Sequence, residues 1–189
     1  MSSVPDDPAP ELTVWTIGHS TRSPDEFLGL LADFRIETIV DVRRFPGSRK
    51  YPQYGQEALA HTLAQHALGY QWLQALGGRR PVSPDSPNTM WRNASFRGYA
   101  DYMASAEFAQ GLEQLLEWAR RSRVALMCAE AVWWRCHRSM IADALCARQV
   151  RVLHILDGRH VTLHPMTSPA RIVDGHLTYL PPVSGAPAQ

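Results

Sequence analysis

The stretch "TVWTIGHSTRSPDEFLGLLADFRIETIVDV", residues 13–42, decides the fold. Its first six residues form a short apolar run that ends in glycine, a pattern typical of a buried strand. Ser23 is placed to cap a helix that has Pro24 at its first position, and apolar residues then recur at helical spacing from Phe27 onward. Residues 37–42 are rich in β-branched side chains and predict a second strand. A strand, a helix and a strand joined by short links predict a parallel pair with a right-handed crossover.

The same alternation continues along the rest of the chain. We predict further helices over 56–68, 99–121 (in one or two pieces) and 137–148, and further strands over 70–73, 124–129 and 150–155. Two long segments, 43–55 and 77–98, lack periodicity and are predicted to be loops. Loops of that length inside a compact domain are usually functional or disordered.

These elements predict the α/β class. We expect a single domain over residues 12–180, with a mainly parallel β-sheet flanked by helices. A small C-terminal β-hairpin is predicted from the pairing of residues 158–165 with residues 175–181. The polar, proline-rich residues 1–11 and the terminal residues 181–189 are predicted to be disordered tails.

Composition excludes several classes of protein. The chain has no run of 18 apolar residues, so we expect no membrane span. Its first residues lack the basic start and apolar stretch of a secretion signal. Three cysteines are an odd number without framework spacing, which predicts free thiols and a cytoplasmic, reducing compartment. Nothing in the sequence indicates an oligomeric state.

The net charge of +1 conceals a basic segment. Residues 42–98 carry eight basic and two acidic side chains, which makes the segment +6. All but one of the basic residues of the chain are arginine, and the planar fork of arginine suits phosphate-bearing partners. A GC-rich genome would also favour arginine codons, but it would not explain the clustering.

Polar side chains follow three of the predicted strands. Gly18, His19 and Ser20 end the first strand, Asp41 and Arg43 end the second, and Cys128 and Glu130 end the strand over 124–129. Carboxyl ends of parallel strands meet at one edge of a sheet, where ligands bind in such folds. We therefore expect one pocket there, with His19, Asp41 and Glu130 as acid–base candidates. For Glu130 and Asp41, a purely structural ion pair is an equally good interpretation.

The stretch "CHR", residues 136–138, lies at the start of the helix that follows. A helix start attracts anions, and a thiol there with arginine neighbours should have a lowered pKa. Cys136 is therefore a candidate nucleophile, although a buried core cysteine is the alternative. The residues predicted to bind a substrate anion are Gly18, Ser20, Arg43, Arg44, Ser48, His137 and Arg138.

A metal site and a disulfide are two further alternatives. His19, Cys128, Cys136 and His137 are acceptable zinc ligands, but the cysteines are eight positions apart and no paired C-x-x-C is present. We also expect Cys136 and His137 to point in different directions on a helix. The sequence therefore requires no cofactor, and zinc is a weak alternative. A redox-active Cys128–Cys136 disulfide cannot be tested by spacing alone.

Several motifs resemble a known family. "TIGHSTRSPDEFLGLL", "IVDVRRFPGSRKYPQY", "LGGRR", "WRNASFRGYADYM" and "LMCAEAVWWRCHRSMIADAL" are similar to the bacterial family of domain of unknown function 488, DUF488, over about residues 13–155. The resemblance implies a polar site but no reaction. The implied site comprises Gly18, His19, Ser20, Asp41, Arg43, Pro46, Ser48, Cys128, Glu130, Cys136, His137 and Arg138.

Three functions remain open from the sequence. The first is an enzyme that acts on a phosphate-bearing or nucleobase-containing substrate, since acid, base and nucleophile types occur together. The second is a non-catalytic nucleic-acid or nucleotide binding module, because aromatic residues are interleaved with the cations of the basic segment. The third is a metal-binding protein. The expected partners are small anionic ligands, nucleotides or nucleic acid, without a membrane.

Overall fold

A six-stranded sheet lies at the centre of the computed structural model, which describes residues 12–182. Five strands are parallel and the last, at one edge, is antiparallel. In spatial order the strands are β3 (Gly69–Trp72), β2 (Thr38–Asp41), β4 (Val124–Cys128), β1 (Thr13–Gly18), β5 (Arg151–Ile155) and β6 (Val161–Leu163). The predicted α/β class with a mainly parallel sheet is confirmed.

The first strand, helix and second strand form as predicted, with one difference. Helix α1 (Pro24–Asp33) begins where expected, because the Ser23 hydroxyl accepts a hydrogen bond from the Glu26 amide at 3.2 Å. Strands β1 and β2 are parallel but are not neighbours, since both pair with β4. All five residues of β4 are apolar and buried, which suits a central strand covered on both faces.

Four further helices complete the layers on the sheet: α2 (Gln56–Gln65), α3 (Ala94–Met103), α4 (Ala106–Ala119) and α5 (Arg138–Cys146). The predicted loop over 77–98 ends early, at Asn93, because the Asn93 side chain accepts from two amides and caps α3. One face of the sheet packs against α1 and α2, through Leu31 and Leu63 among others. The other face packs against α4 and α5, through Leu115 and Ile141 among others.

The small C-terminal hairpin is confirmed, but its strands differ from the predicted pair. Residues 161–163 extend the main sheet beside β5 instead of pairing with residues 176–178. The hairpin joins β7 (Arg171–Val173) to β8 (His176–Thr178). Asp174 and Gly175 form its tight turn with φ of 49° and 77°. An Asp-Gly pair is a strong signal for a two-residue hairpin turn, and the sequence prediction did not use it.

Both ends of the chain fall outside the residues that the structure describes. Residues 1–11 and 183–189, which make up most of the two predicted tails, are not among the described residues. The predicted domain bounds of 12–180 therefore stay a prediction. Between residues 12 and 182, no helix is long and apolar enough to cross a membrane.

Candidate functional site

A cleft of about 630 Å³ opens at the carboxyl ends of β1, β2 and β4. Nine of the predicted site residues line it: His19, Ser20, Arg43, Arg44, Ser48, Cys128, Glu130, Cys136 and His137. Gly18, Asp41, Pro46 and Arg138 are buried and are not among its lining residues. The cleft is also lined by Thr21, Phe45, Gly47, Lys50, Tyr51, Gly78, Arg79 and Ala129, which were not among the predicted site residues.

One side of the cleft is built on a buried ion pair. Arg43 donates from Nε and Nη2 to both carboxylate oxygens of Asp41, at 2.6–3.1 Å, and the Asp41 side chain is fully buried. The Tyr70 hydroxyl donates to Asp41 at 2.7 Å, and burial, then the negative charge of Asp41, raise the pKa of Tyr70. Asp41 is thus fully occupied by protein donors, and its geometry favours positioning Arg43 over transferring protons.

His19 lies against this ion pair and is held on both ring nitrogens. Nδ1 donates to the Ser20 carbonyl at 3.0 Å, which leaves Nε2 as an acceptor facing Arg43 Nη1 at 3.4 Å. The ring stacks on Tyr54 with centroids 4.1 Å apart. Burial, helped by the charge of Arg43, lowers the pKa of His19 to about 4, so the ring is neutral at neutral pH. Its predicted proton-transfer role therefore receives little support from its surroundings.

Cys136 and His137 meet at the other side of the cleft. Helix α5 begins only at Arg138, and Cys136 is extended with φ −132° and ψ 148°. This places Cys136 Sγ 3.5 Å from His137 Nδ1, so the expectation that the two side chains diverge on a helix is wrong. His137 Nε2 donates to the Val42 carbonyl at 2.9 Å, which leaves Nδ1 free to accept the thiol proton.

Gly78 makes room for this histidine. A Cβ atom at residue 78 would lie 2.8 Å from His137 Nδ1, closer than real Cβ contacts. Gly18 has a similar steric role, because a Cβ there would overlap the Glu130 carbonyl oxygen. The side chain of Glu130 itself is exposed at the rim of the cleft. Its predicted acid–base role stays a prediction.

The second buried arginine, Arg138, lies behind the two thiols. Cys128 Sγ and Cys136 Sγ are 2.7 Å apart, and the Arg138 amide donates to Cys136 Sγ at 3.5 Å. The guanidinium is 1% exposed and donates to the Glu130 carbonyl and the Thr16 hydroxyl, while Nε has no partner. Within residues 12–182, no carboxylate forms an ion pair with Arg138.

The pKa values of the two thiols move in opposite directions. Burial would raise the pKa of Cys136, but the hydrogen bond from the Cys128 thiol and the positive charges of His137 and Arg138 hold it well below its usual range. Burial, together with donation to Cys136, raises the pKa of Cys128. Of the two thiols, Cys136 is therefore the one whose ionisation its surroundings favour.

A buried chain of hydrogen bonds continues from Arg138 across the sheet. Arg138 donates to Thr16 Oγ1 at 3.3 Å, and Thr16 bonds His154 Nδ1 at 2.6 Å. His154 Nε2 bonds His164 Nδ1 at 2.9 Å, and His164 Nε2 bonds Asp143 at 2.9 Å. Burial, and then His164 and Arg138, lower the pKa of His154 to about 2. The sequence prediction missed this chain, although a histidine inside a buried strand is a signal that a partner exists.

Three cations reach the cleft without a carboxylate partner among the described residues: Arg44, Lys50 and Arg79. They come from the two predicted loops of the basic segment. The Arg44 guanidinium donates to the Arg79 carbonyl and lies 5.5 Å from the ring of Phe45, which is 63% exposed. Ser48 accepts from the Tyr51 amide at 3.0 Å and holds this loop in shape.

The proposed zinc ligands are brought near one another but not into a metal site. Within residues 12–182, no group of three or more histidine, cysteine or acidic side chains is placed to hold a metal ion. Both ring nitrogens of His19 and of His137 already face protein partners. The weak zinc alternative gains no support from this geometry.

Comparison with known proteins gives a family and no activity. The family model described as Domain of unknown function DUF488 matches residues 23–145. That range contains both arginines and both thiols of the cleft walls, but it leaves out Gly18, His19 and Ser20. No curated protein and no solved structure matches the chain.

Proposed function

The chain belongs to the DUF488 family, and we propose that its strand-end cleft is the active site of a cytoplasmic enzyme. In this proposal the enzyme acts on a phosphate-bearing or nucleobase-containing substrate, and the Cys136 thiolate is the nucleophile. The observation that carries the proposal is the buried guanidinium of Arg138, which faces two thiols and forms no ion pair with a carboxylate among the described residues.

A buried charge is costly unless an opposite charge compensates it. Arg138 cannot lose its proton at any physiological pH. The groups packed against its guanidinium are a carbonyl, a hydroxyl and the two thiols. Ionisation of Cys136 supplies the missing negative charge, which explains both the burial of Arg138 and the lowered pKa of the thiol.

His137 completes a nucleophile and base pair. Its Nδ1 accepts the proton that leaves Cys136, and the Val42 carbonyl fixes the ring by accepting from Nε2. During the reaction a bond forms between Cys136 Sγ and the electrophilic atom of the substrate, while the bond to the leaving group breaks. The proton on His137 then passes to the leaving group.

Substrate binding is assigned to the cations of the loops. Arg44, Lys50 and Arg79 line the same cleft as Cys136, and the acidic side chain beside them, Glu130, lies at the rim. Arginine forks bind phosphate oxygens with two parallel hydrogen bonds. The exposed ring of Phe45, beside Arg44, offers a face on which a nucleobase can stack.

The test combines binding with turnover. We would add inorganic phosphate, AMP, ATP and a sugar phosphate to the protein, and follow binding by protection of Cys136 from iodoacetamide and turnover by phosphorus NMR. Cys136→Ser should still bind a compound that the wild type turns over, as measured by calorimetry, but should not convert it. Cys146→Ser, at the far end of α5, is the matched control and should keep full turnover.

A second pair of variants tests the cations. Arg79→Gln should weaken phosphate binding about fivefold, which corresponds to ~1 kcal/mol for one exposed ion pair. Arg121→Gln, which removes an exposed arginine between α4 and β4 at the opposite edge of the sheet, should change nothing. If no phosphate compound protects Cys136, or if Cys136→Ser turns a compound over as fast as the wild type, the proposed function is wrong.

A nucleic-acid binding module is the second candidate, and the exposure of Phe45 beside a cationic cleft favours it. Its affinity for single-stranded DNA or RNA should fall steeply with added salt, because phosphate contacts release counterions. Cys136→Ser should leave that affinity unchanged, which separates this candidate from the enzyme. Binding that is absent, or independent of salt, would dispose of it.

A further inference from the structure

We propose that Cys136 and Cys128 form a dithiol site that hydroperoxides oxidise to an intramolecular disulfide. This chemistry goes beyond the proposed function, because it needs no anionic substrate and uses the second thiol, for which that function has no role. Four features of the site carry it: the distance between the sulfur atoms, the difference in their ionisation, their access to the cleft, and the short loop between them.

The two sulfur atoms are already in reach of one another. They lie 2.7 Å apart, so a bond between them requires little movement of the backbone. The cysteines are eight positions apart, at the end of β4 and just before α5, and the intervening loop contains only the short 3-10 helix Trp133–Arg135. Both side chains are nearly buried, at 3% and 4% exposed, but both also line the cleft, so a small peroxide would reach them from there.

The ionisation of the pair matches the two roles that such an oxidation needs. A thiolate attacks the peroxide, and a second thiol must wait in its protonated form to resolve the product. In this proposal Cys136 is the thiolate, because the Arg138 amide and His137 Nδ1 face its sulfur, and Cys128 keeps its proton, because its sulfur donates to the Glu130 carbonyl at 3.9 Å.

The atoms and electrons balance in two steps. In the first, Cys136 Sγ attacks one peroxide oxygen, the S–O bond forms and the O–O bond breaks, and the alkoxide takes up the proton that His137 accepted from Cys136 and leaves as an alcohol. Cys136 is then a sulfenic acid, oxidised by two electrons. In the second, Cys128 Sγ attacks Cys136 Sγ, the S–S bond forms, the S–O bond breaks, and the hydroxide takes the Cys128 proton and leaves as water. A small dithiol reverses the change by thiol–disulfide exchange.

The site differs from the third cysteine of the chain. Cys146 lies at the C-terminal end of α5 and is not among the residues that line the cleft. We therefore expect Cys146 to take no part in the disulfide. Cys146→Ser is the matched control variant, since it removes one thiol and leaves the pair intact.

The experiment is intact-protein mass spectrometry of the full chain after one equivalent of hydrogen peroxide, with no anionic compound present. The wild type and Cys146→Ser should each lose the mass of two hydrogen atoms and recover it with dithiothreitol. Cys128→Ser should instead gain one oxygen and react with dimedone, because its sulfenic acid has no resolving thiol. Cys136→Ser should stay unmodified.

Three outcomes would overturn the proposal: a disulfide that includes Cys146, oxygen uptake by the wild type without loss of hydrogen, or no reaction at Cys136. These results are independent of the proposed function. Turnover can fail for every phosphate compound while the disulfide forms, and Cys136→Ser can abolish turnover while no disulfide forms. If both ideas hold, peroxide should stop turnover in the wild type and dithiothreitol should restore it.

Discussion

Two buried arginines stand at the cleft, and their surroundings differ. Arg43 contacts both oxygens of Asp41, so its charge is neutralised within the protein. Arg138 is buried more deeply, at 1% exposure, but faces a hydroxyl, a carbonyl and two thiols. The charge of Arg43 is thus neutralised by a carboxylate, whereas no carboxylate among the described residues forms an ion pair with Arg138. In the proposed function, the Cys136 thiolate supplies the negative charge that Arg138 lacks.

The largest expected effect comes from breaking the buried ion pair of Asp41 and Arg43. Asp41→Asn leaves the buried charge of Arg43 without compensation and should lower the free energy of unfolding by about 3–5 kcal/mol, measured by urea denaturation. Glu113→Gln, which breaks the exposed Glu113–Arg148 pair, is the control and should cost no more than about 1 kcal/mol. Equal losses for the two variants would show that Asp41 and Arg43 are not a closed buried pair.

Removing the other arginine should act on chemistry. Arg138→Gln takes away the charge that favours the Cys136 thiolate, so the pKa of the thiol should rise and the pH at which its alkylation rate reaches half of the plateau should move up by at least about one pH unit. Iodoacetamide kinetics as a function of pH measure this, and circular dichroism checks that the variant is folded. A folded variant with an unchanged pH profile of alkylation would show that Arg138 does not stabilise the thiolate.

The histidine beside Arg43 predicts a pH dependence of stability. In the unfolded chain His19 takes up a proton near the ordinary histidine pKa of 6.5, but in the folded protein it does so only near pH 4. The unfolded state therefore binds more protons in this window, and stability should fall as the pH drops from about 6.5 to about 4.

One variant tests whether His19 causes the loss of stability in this pH range. Between pH 7 and pH 5, the free energy of unfolding should decrease by about 1 kcal/mol less in His19→Gln than in the wild type. This value is smaller than the full pKa shift would give, because solvent in the cleft weakens the effect. His154 continues to contribute, because its pKa is also lowered. His61→Gln, at an exposed histidine of α2, is the matched control for the change of side chain itself. A His19→Gln profile that matches the wild type would contradict the buried neutral ring.

The smallest expected effect tests whether the position of the His137 ring affects the alkylation rate of Cys136. Gly78→Ala places a methyl group against His137 Nδ1 and should displace the ring, slowing alkylation of Cys136 by a few-fold with little change in unfolding free energy. Gly47→Ala is the matched control, since Gly47 lines the same cleft but a Cβ there meets no atom within 4 Å. The same alkylation rate in both variants would mean that His137 does not assist the thiol.

The sequence predicted the edge of the sheet at which the cleft opens, because parallel strands share one carboxyl edge and three of them end in polar residues. His19, Arg43 and Cys128 line that cleft. The sequence could not show which side chains line the cleft and which are buried beneath it. Asp41 and Arg138 are buried, because each forms hydrogen bonds with partners that are distant from it until the chain folds or lie on its buried side, Arg43 for Asp41 and Thr16 for Arg138.

Two features of the site depend on contacts that no spacing encodes. Cys136 Sγ approaches His137 Nδ1 because the backbone of Cys136 is extended just before α5. The sequence prediction of a helix from residue 137 did not include this extended residue. The chain from Thr16 to His154 joins side chains 138 positions apart on neighbouring strands. By contrast, the cap at Asn93 and the turn at Asp174 and Gly175 left readable signals.

The central claim is that Cys136 is a thiolate, and its alkylation rate as a function of pH tests that claim most directly. The measurement uses the full chain with Cys146→Ser, so that one reactive thiol dominates, and intact mass confirms that Cys136 is the residue labelled. A thiolate at Cys136 predicts a rate that is already at its plateau at pH 7 and stays flat up to about pH 8.5, the usual thiol pKa. A rate that climbs about tenfold per pH unit across that range would show a protonated thiol beside Arg138 and contradict the claim.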